Sequence, residues 1–196
     1  MSHPLLASAR FHEALLAFDE QVAAHAKRRG CGVCGGRLHV ADYERKPRGA
    51  PSEVSDAWSR RLSFCCSIDG CRKRMTPPSV RFLGRRVHTG VMVVLAAVLS
   101  HGLTGTRLRK LRESLEVDRR TLERWRRWWV DAFPRTDLWT ELSGRLDRPS
   151  SIRELPHSLF LSMRGADEEE RLHRFLRLLA PISHSARMRA RFARAA

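Results

Sequence analysis

Apolar positions recur at helical spacing over most of the chain, which predicts a protein that is mainly α-helical. Between residues 5 and 28 they follow an i, i+3, i+4 pattern, and Gly30 then provides a stop after three basic residues. Residues 87–133 show the helical pattern throughout. Residues 167–179 form a further predicted helix, and its four leading acidic residues suit the positive end of a helix dipole.

The segment from residue 31 to residue 78 has a different character. Glycine and proline interrupt it, and residues 37–41 and 61–65 alternate between apolar and polar like two short strands. Between them, residues 46–51 contain two prolines and a glycine and predict a loop. This segment is therefore expected to add a small β region to the helices.

These patterns divide the chain into four parts. We expect an N-terminal helix in residues 1–30, a β-containing module in 31–80, a helical domain in 81–135 and a helical C-terminal region in 136–196. The elements expected in the last part are, in order, a short helix at 137–146, a linker at 148–156, the helix at 167–179 and a basic tail with arginines 187, 189, 191 and 194.

The helical domain has the spacing of a helix-turn-helix. A first helix ends near His101-Gly102, and its predicted apolar stripe consists of Val87, Val91, Val94, Leu95 and Val98. Thr104 opens a second helix, whose predicted inner face consists of Leu108, Leu111 and Leu115. Glu116-Val117 is expected to form the turn, and Asp118 is a suitable N-cap for a third helix.

The third predicted helix has two distinct faces. Leu122, Trp125 and Trp129 fall within a narrow arc at about 100° per residue, which predicts a buried face. The opposite face carries Arg120, Glu123, Arg124 and Arg127, while Trp128 projects sideways, towards another helix or a partner molecule. A DNA recognition helix has this layout, because apolar anchors hold it while guanidinium groups reach guanine edges or phosphates.

Five cysteines with short spacings indicate a metal site. Cys31 and Cys34 form a Cys-x2-Cys turn followed by two glycines, and Cys71 ends a second turn that begins at Cys65 or Cys66. Cys66 is the preferred ligand because it shares one strand face with Leu62 and Phe64 by period two. The alternatives are Cys65, His39 in place of one thiolate, or buried cysteines without metal.

Four thiolates leave no coordination position open, so the expected metal is a single structural Zn²⁺ held by Cys31, Cys34, Cys66 and Cys71. The predicted fold class is therefore mostly α with a small β zinc ribbon and a helix-turn-helix of three helices. A module of this size with little apolar content depends on a metal for its folding.

The charge of the chain indicates the kind of partner it binds. The formal net charge is +16, from 37 basic and 21 acidic residues, and residues 60–135 alone hold 18 Lys or Arg against 6 Asp or Glu. Such clustering favours a polyanion, and we expect double-stranded DNA. The candidate DNA-contacting residues are Arg72, Lys73, Arg74, Arg119, Arg120, Thr121, Arg124 and Arg127.

Other functional classes are disfavoured. The longest apolar run, residues 91–99, is far shorter than the roughly 20 residues that span a bilayer, and no signal peptide is recognisable. We therefore expect a cytoplasmic protein, located on the bacterial nucleoid, with no membrane partner. A Ser-His-Asp arrangement, a phosphate-binding loop and an HExxH motif are all missing, so we expect no enzymatic activity.

The two modules together resemble the N-terminal part of bacterial insertion-sequence transposases. The resemblance covers residues 31–131 and rests on Cys34-Gly35-Gly36, on residues 66–79 and on residues 118–125. It implies a zinc ribbon that precedes a helix-turn-helix, with Cys31, Cys34, Cys66 and Cys71 as ligands and Arg119 to Arg127 as the recognition helix. The chain departs from the family after residue 135, because the remaining 61 residues lack the strand pattern of its three-carboxylate catalytic domain.

The leading hypothesis is an accessory or regulatory DNA-binding protein of a mobile element. It would act with a separately encoded transposase or integrase, and it could be a homodimer. One alternative is a non-autonomous recombinase or nuclease subunit, in which residues 167–170 would supply carboxylates. A second alternative is binding to structured RNA, which zinc ribbons and basic tails also suit.

Overall fold

The computed structural model describes residues 3–45, 47–83, 86–144 and 151–183, and within them the chain is mostly α with a small β region. The helices are α1 Pro4–Ala7, α2 Ala9–Arg29, α3 Gly90–Leu99, α4 Gly105–Ser114, α5 Arg119–Arg127, α6 Asp137–Ser143, α7 His157–Leu161 and α8 Glu168–Leu179. The strands are β1 Leu38–Val40, β2 Tyr43–Glu44, β3 Arg60–Arg61, β4 Phe64–Cys66 and β5 Arg74–Met75. None of the helices described is both long and apolar enough to cross a membrane.

The N-terminal helix is divided in two, which corrects the prediction of one continuous helix over residues 5–28. Ser8 is extended, and its hydroxyl accepts a hydrogen bond from the backbone N–H of Phe11 at 3.2 Å. Serine competes in this way with helical backbone bonds, so it caps α2 instead of continuing α1. The predicted stop is confirmed, since Gly30 adopts φ +77° immediately after α2.

The β region consists of two small antiparallel sheets. Strands β1, β4 and β5 form one sheet in the order β1-β4-β5, and β2 pairs with β3. The two strand predictions correspond to β1 and to β3 with β4, whereas the two-residue β5 has too little sequence for an alternating pattern. Residues 47–51 form the predicted loop, and Lys46 lies outside the described residues.

Helix α3 is the centre of the hydrophobic core. Its residues from Gly90 to Val98 are all buried, because α5, α7 and α8 pack around it. The predicted single stripe is therefore wrong: a helix that is apolar on all sides is enclosed on all sides. Val87 also lies outside the helix and is 59% exposed, since the cap of α3 is Thr89, whose hydroxyl accepts from the N–H of Met92.

The C-terminal helices share this core. Leu172, Phe175, Leu176 and Leu179 of α8 are buried in the same cluster as α3 and α5. The predicted acidic start of α8 is confirmed, with Asp167 as its N-cap. Of the predicted linker the structure describes residues 151–156, with a single 3₁₀ turn at Ile152–Glu154. The predicted basic tail lies outside the described residues.

Trp128 is buried, which answers whether it points to a helix or to a partner. A π-helical turn at Trp128–Ala132 continues α5. It places the Trp128 ring 4.8 Å from the ring of Trp129 and 5.6 Å from that of Phe133. Trp128 therefore anchors the end of α5 to the core.

A buried ion pair connects the β region to the helices. Arg81 is fully buried, and its Nε donates to Oδ2 of Asp19 on α2 at 2.8 Å. Its other nitrogens donate to the carbonyl oxygens of Trp58 and of Arg60, the latter at 3.0 Å. Asp19 also accepts a 2.8 Å bond from the backbone N–H of Val80. This network fixes the segment that leads from the β region into α3.

Candidate metal centre and helix-turn-helix surface

Four cysteine sulfurs form a compact cluster at one end of the β1-β4-β5 sheet. The Sγ atoms of Cys31, Cys34, Cys66 and Cys71 all lie within 4.8 Å of one another. The Cys31–Cys71 pair is separated by 3.8 Å and the Cys34–Cys66 pair by 3.4 Å. Sulfurs at the corners of a tetrahedron around zinc are about 3.8 Å apart, given Zn–S bonds of about 2.3 Å. A disulfide would require about 2.05 Å, so the cluster has the dimensions of a metal site.

The first pair of ligands lies on a tight turn. The N–H of Gly35 donates to the carbonyl of Cys31, and the N–H of Cys31 donates to the carbonyl of Gly36, both at 2.8 Å. A Cβ on Gly36 would lie 3.1 Å from Sγ of Cys66 and 3.3 Å from Sγ of Cys34. Gly36 therefore allows the backbone to approach the sulfurs closely.

The second pair comes from the end of β4 and the turn that follows it. Cys66 is buried opposite Leu38, while the neighbouring Cys65 pairs with His39 on the other face of the sheet. The prediction that Cys66 is in the cluster is thus confirmed, and strand alternation directs both Cys65 and His39 away from it. The Cys65 thiol lies 3.5 Å from the carbonyl oxygen of Arg72 instead.

Each of the four sulfurs accepts a hydrogen bond from the backbone N–H two residues further along the chain. The donors are Val33, Gly36, Ile68 and Lys73. The N–H groups of Val33 and then Cys34 lower the pKa of Cys31 to about 7. For the other three cysteines these backbone bonds are outweighed by burial and neighbouring thiols, so their pKa is raised. Several thiolates this close together need a cation for all of them to be charged.

The cysteine cluster is a large part of the interior around the β1-β4-β5 sheet. The apolar side chains packed around the sulfurs are few: Ala23 of α2, Leu38 and Phe64 are the buried members other than cysteine. So small a cluster contributes little burial energy by itself.

Helices α4 and α5 are joined by the short turn that the sequence predicts. Glu116 has φ +51°, and the N–H of Val117 returns to the carbonyl of Arg112 at 3.0 Å. Asp118 is the N-cap of α5, since its Oδ1 accepts the N–H of Thr121 at 2.8 Å. Both helices contact α3. Of the predicted inner face of α4, Leu115 is buried at the end of the helix, whereas Leu108 and Leu111 are only partly buried against the core.

Helix α5 separates its buried and exposed faces as the sequence predicts. Leu122, Trp125 and Trp129 are buried, whereas Arg120, Arg124 and Arg127 are exposed. These arginines project from a helix whose position is fixed by tryptophan packing.

Three other residues of α5 differ from the predicted set of exposed DNA-contacting residues. Thr121, a candidate DNA contact, is only 7% exposed, and its hydroxyl lies 3.3 Å from Nη2 of Arg124. Arg119 is exposed but donates to Glu123 at 2.7 Å, which lowers the pKa of that carboxyl. Arg126, which the sequence analysis did not select, is exposed and lines a groove towards α4 with Arg109.

The three basic residues after the last cysteine are exposed on the β module. Arg72 lies 3.9 Å from the carboxylate of Asp69, and the Arg74 guanidinium lies 5.7 Å from the centre of the Tyr43 ring. The β module approaches α5 through a different part of the chain, where Arg48 pairs with His88 in a parallel bridge. The sequence contains no motif that predicts this bridge, since Arg48 and His88 are single basic residues in loops.

Comparisons of this chain with protein-family models, with curated proteins and with solved structures find no match. The site's own geometry and charge are therefore the basis for assigning a function.

Proposed function

We propose that this chain is a zinc-stabilised protein that binds double-stranded DNA, with α5 as the helix that enters the major groove. The observation that carries the proposal is the exposed face of α5, where Arg120, Arg124 and Arg127 project from a helix fixed by Trp125 and Trp129. A helix held in this way can place guanidinium groups against guanine edges, where each bidentate pair discriminates between bases.

The cysteine cluster supports the proposal as a structural centre. Zinc suits four thiolates at these separations, and four protein ligands leave no position for a substrate. The metal would hold the β module in place, and this module carries Arg72, Lys73 and Arg74 on its surface. We assign those three residues to phosphate contacts, which add affinity without base specificity.

We further propose a binding role without catalysis, as an accessory or regulatory protein of a mobile element that acts with a separately encoded transposase or integrase. The alternative of a nuclease subunit needs carboxylates that are available to bind metal ions. The acidic start of α8 is instead engaged locally: Asp167 caps the helix, Glu169 lies 3.4 Å from Arg10, and Glu170 lies 2.5 Å from Arg174. These contacts favour a role for residues 167–170 in stabilising the helix.

Selection of duplexes from a random pool at about 0.2 M salt tests the proposal, because non-specific phosphate attraction has largely faded at that concentration. The expected result is one enriched sequence whose binding survives competition by structured RNA. A pool with no enriched sequence would contradict recognition by α5. Preferential binding of the RNA competitor would assign the basic surface to RNA instead.

A further inference from the structure

The loop that contains Arg48 is attached to the segment that precedes α3. The N–H of Arg48 donates to the carbonyl of Val87 at 2.7 Å, and its carbonyl accepts the N–H of Thr89 at 2.9 Å. Three residues earlier in the chain, Nη2 of Arg45 donates to the carbonyl of Arg86 at 2.6 Å. These bonds connect the β module directly to the segment that precedes α3.

Packing against α3 fixes the same loop from the other side. Gly49 has φ +87°, and a Cβ at this position would lie 2.7 Å from Cε of Met92. The backbone thus passes directly over the first turn of α3, which only glycine permits. The Arg48 side chain is exposed on a loop whose backbone is held by two hydrogen bonds and by this contact.

The segment from Arg86 to Thr89 in turn lies against α5. The His88 ring packs edge-on against Trp125 with centroids 5.0 Å apart, and the Arg86 guanidinium lies 5.2 Å from the centre of the Trp128 ring. Arg48 therefore lies beside α5, because its backbone is hydrogen-bonded to the residues on either side of His88 and the His88 ring contacts Trp125. We call Arg48 and His88, which lie near Arg124 of α5, the basic corner.

Positive charge predominates in the surroundings of His88. His88 lies within the electrostatic influence of Arg48, Arg124 and Arg86, against one carboxylate, Asp118. Burial first, and then the charge of Arg48, lower the pKa of His88. Asp118 is already engaged as the N-cap of α5. Because its pKa is lowered, His88 is neutral near pH 7, so the charge of the corner is that of the exposed Arg48 side chain, near Arg124 of α5.

We propose that the basic corner binds a phosphate of the DNA backbone at the edge of the groove that α5 occupies, with Arg48 as the principal contact. This inference rests on the proposed function and adds to it: the β module would contribute to the same DNA surface as the recognition helix. A phosphate contact on the flank would fix the orientation of α5, while base edges are read by Arg120, Arg124 and Arg127.

Salt dependence of binding gives the first test, on the full chain with the duplex that the selection yields. Arg48→Ala should make the negative slope of log K against log salt shallower by about 0.9, the value for one phosphate contact. Arg48→Lys should retain the slope, because a phosphate contact needs only a positive charge. The matched control is Arg164→Ala, which removes the same charge from the exposed loop between α7 and α8 and should leave the slope unchanged.

Neutral methylphosphonate linkages, placed one at a time along the same duplex, give the second test. At one position the neutral linkage should lower the affinity of the wild type and of Arg164→Ala for the duplex. The affinity of Arg48→Ala should not change there, since that variant has already lost the contact. If no linkage distinguishes Arg48→Ala from Arg164→Ala, the basic corner does not bind phosphate, even though α5 can still read DNA. If the wild type binds no duplex, the proposed function fails and this inference fails with it.

Discussion

Replacing Asp19 with alanine is the most informative change to the scaffold. Asp19 is 1% exposed and contacts Arg81, which is also completely buried. A second buried guanidinium, that of Arg61, depends on the same carboxylate: burial lowers the pKa of Arg61 to about 10, and the charge of Asp19 is the largest effect opposing that fall. The alanine variant would leave two buried cations without this counter-charge.

The expected loss is large for this reason. Removing one partner of a buried ion pair typically costs about 3–5 kcal/mol, because the remaining charge cannot return to water. Native domains are stable by only about 5–15 kcal/mol in total. Asp19→Ala should therefore lose a large fraction of the free energy of unfolding, and the backbone N–H of Val80 loses its acceptor as well.

Denaturant unfolding of zinc-loaded protein measures this loss, with Glu113→Ala as the control. Glu113 makes an exposed pair with Arg109 at 3.9 Å, for which we expect a change of about 0–1 kcal/mol. A double variant, Asp19→Leu with Arg81→Met, should recover part of the stability because the charge of Arg81 is removed with that of its partner, while Arg61 and the N–H of Val80 still lack Asp19. The reasoning is refuted if Asp19→Ala costs no more than Glu113→Ala, or if the double variant is less stable than Asp19→Ala.

Three further predictions concern the metal centre, a buried histidine and the turn. Purified protein should contain one zinc per chain by elemental analysis; Cys66→Ser should abolish its binding, and Cys65→Ser should retain it. Burial lowers the pKa of His12 to about 4 from 6.5, so protonation favours the unfolded state. Its contribution of about 3 kcal/mol is complete above pH 6.5 and is lost as the pH falls towards 4, and a His12→Leu variant should show a flatter pH profile of unfolding. Glu116→Gly should stabilise the protein by about 1 kcal/mol, because Glu116 has φ +51°, whereas Glu113→Gly inside α4 should destabilise it by a similar amount in the same unfolding assay.

The sequence is informative where local chemistry decides the structure. Asp118 could be assigned as an N-cap because a short carboxylate satisfies free N–H groups at a helix start. The acidic start of α8 could be predicted because carboxylates suit the positive end of a helix dipole. Cys66 could be chosen over Cys65 because alternation along β4 allows only one of them to face the other cysteines. The buried arc of α5 likewise follows directly from helical period.

Contacts between residues far apart in the chain account for the features that the sequence does not predict. Arg61 and Arg81 belong to the basic cluster of residues 60–135, yet both are buried. Arg81 is paired with Asp19, which lies 62 residues away in the chain. The parallel bridge between Arg48 and His88 is non-local in the same way. Single charged residues carry no periodic pattern, so only the folded chain shows which of them are paired.

The central claim is that α5 reads base edges, and the affinity of Arg124→Ala for two duplexes tests it most directly. One duplex carries the selected sequence and the other has a random sequence, both at about 0.2 M salt. We predict a loss of about 1–3 kcal/mol on the selected duplex and a much smaller loss on the random one. Arg126→Ala, on the same helix but facing the groove towards α4, should weaken both duplexes slightly and equally. An equal loss on both duplexes for Arg124→Ala would contradict the account and leave α5 as a general phosphate-binding surface.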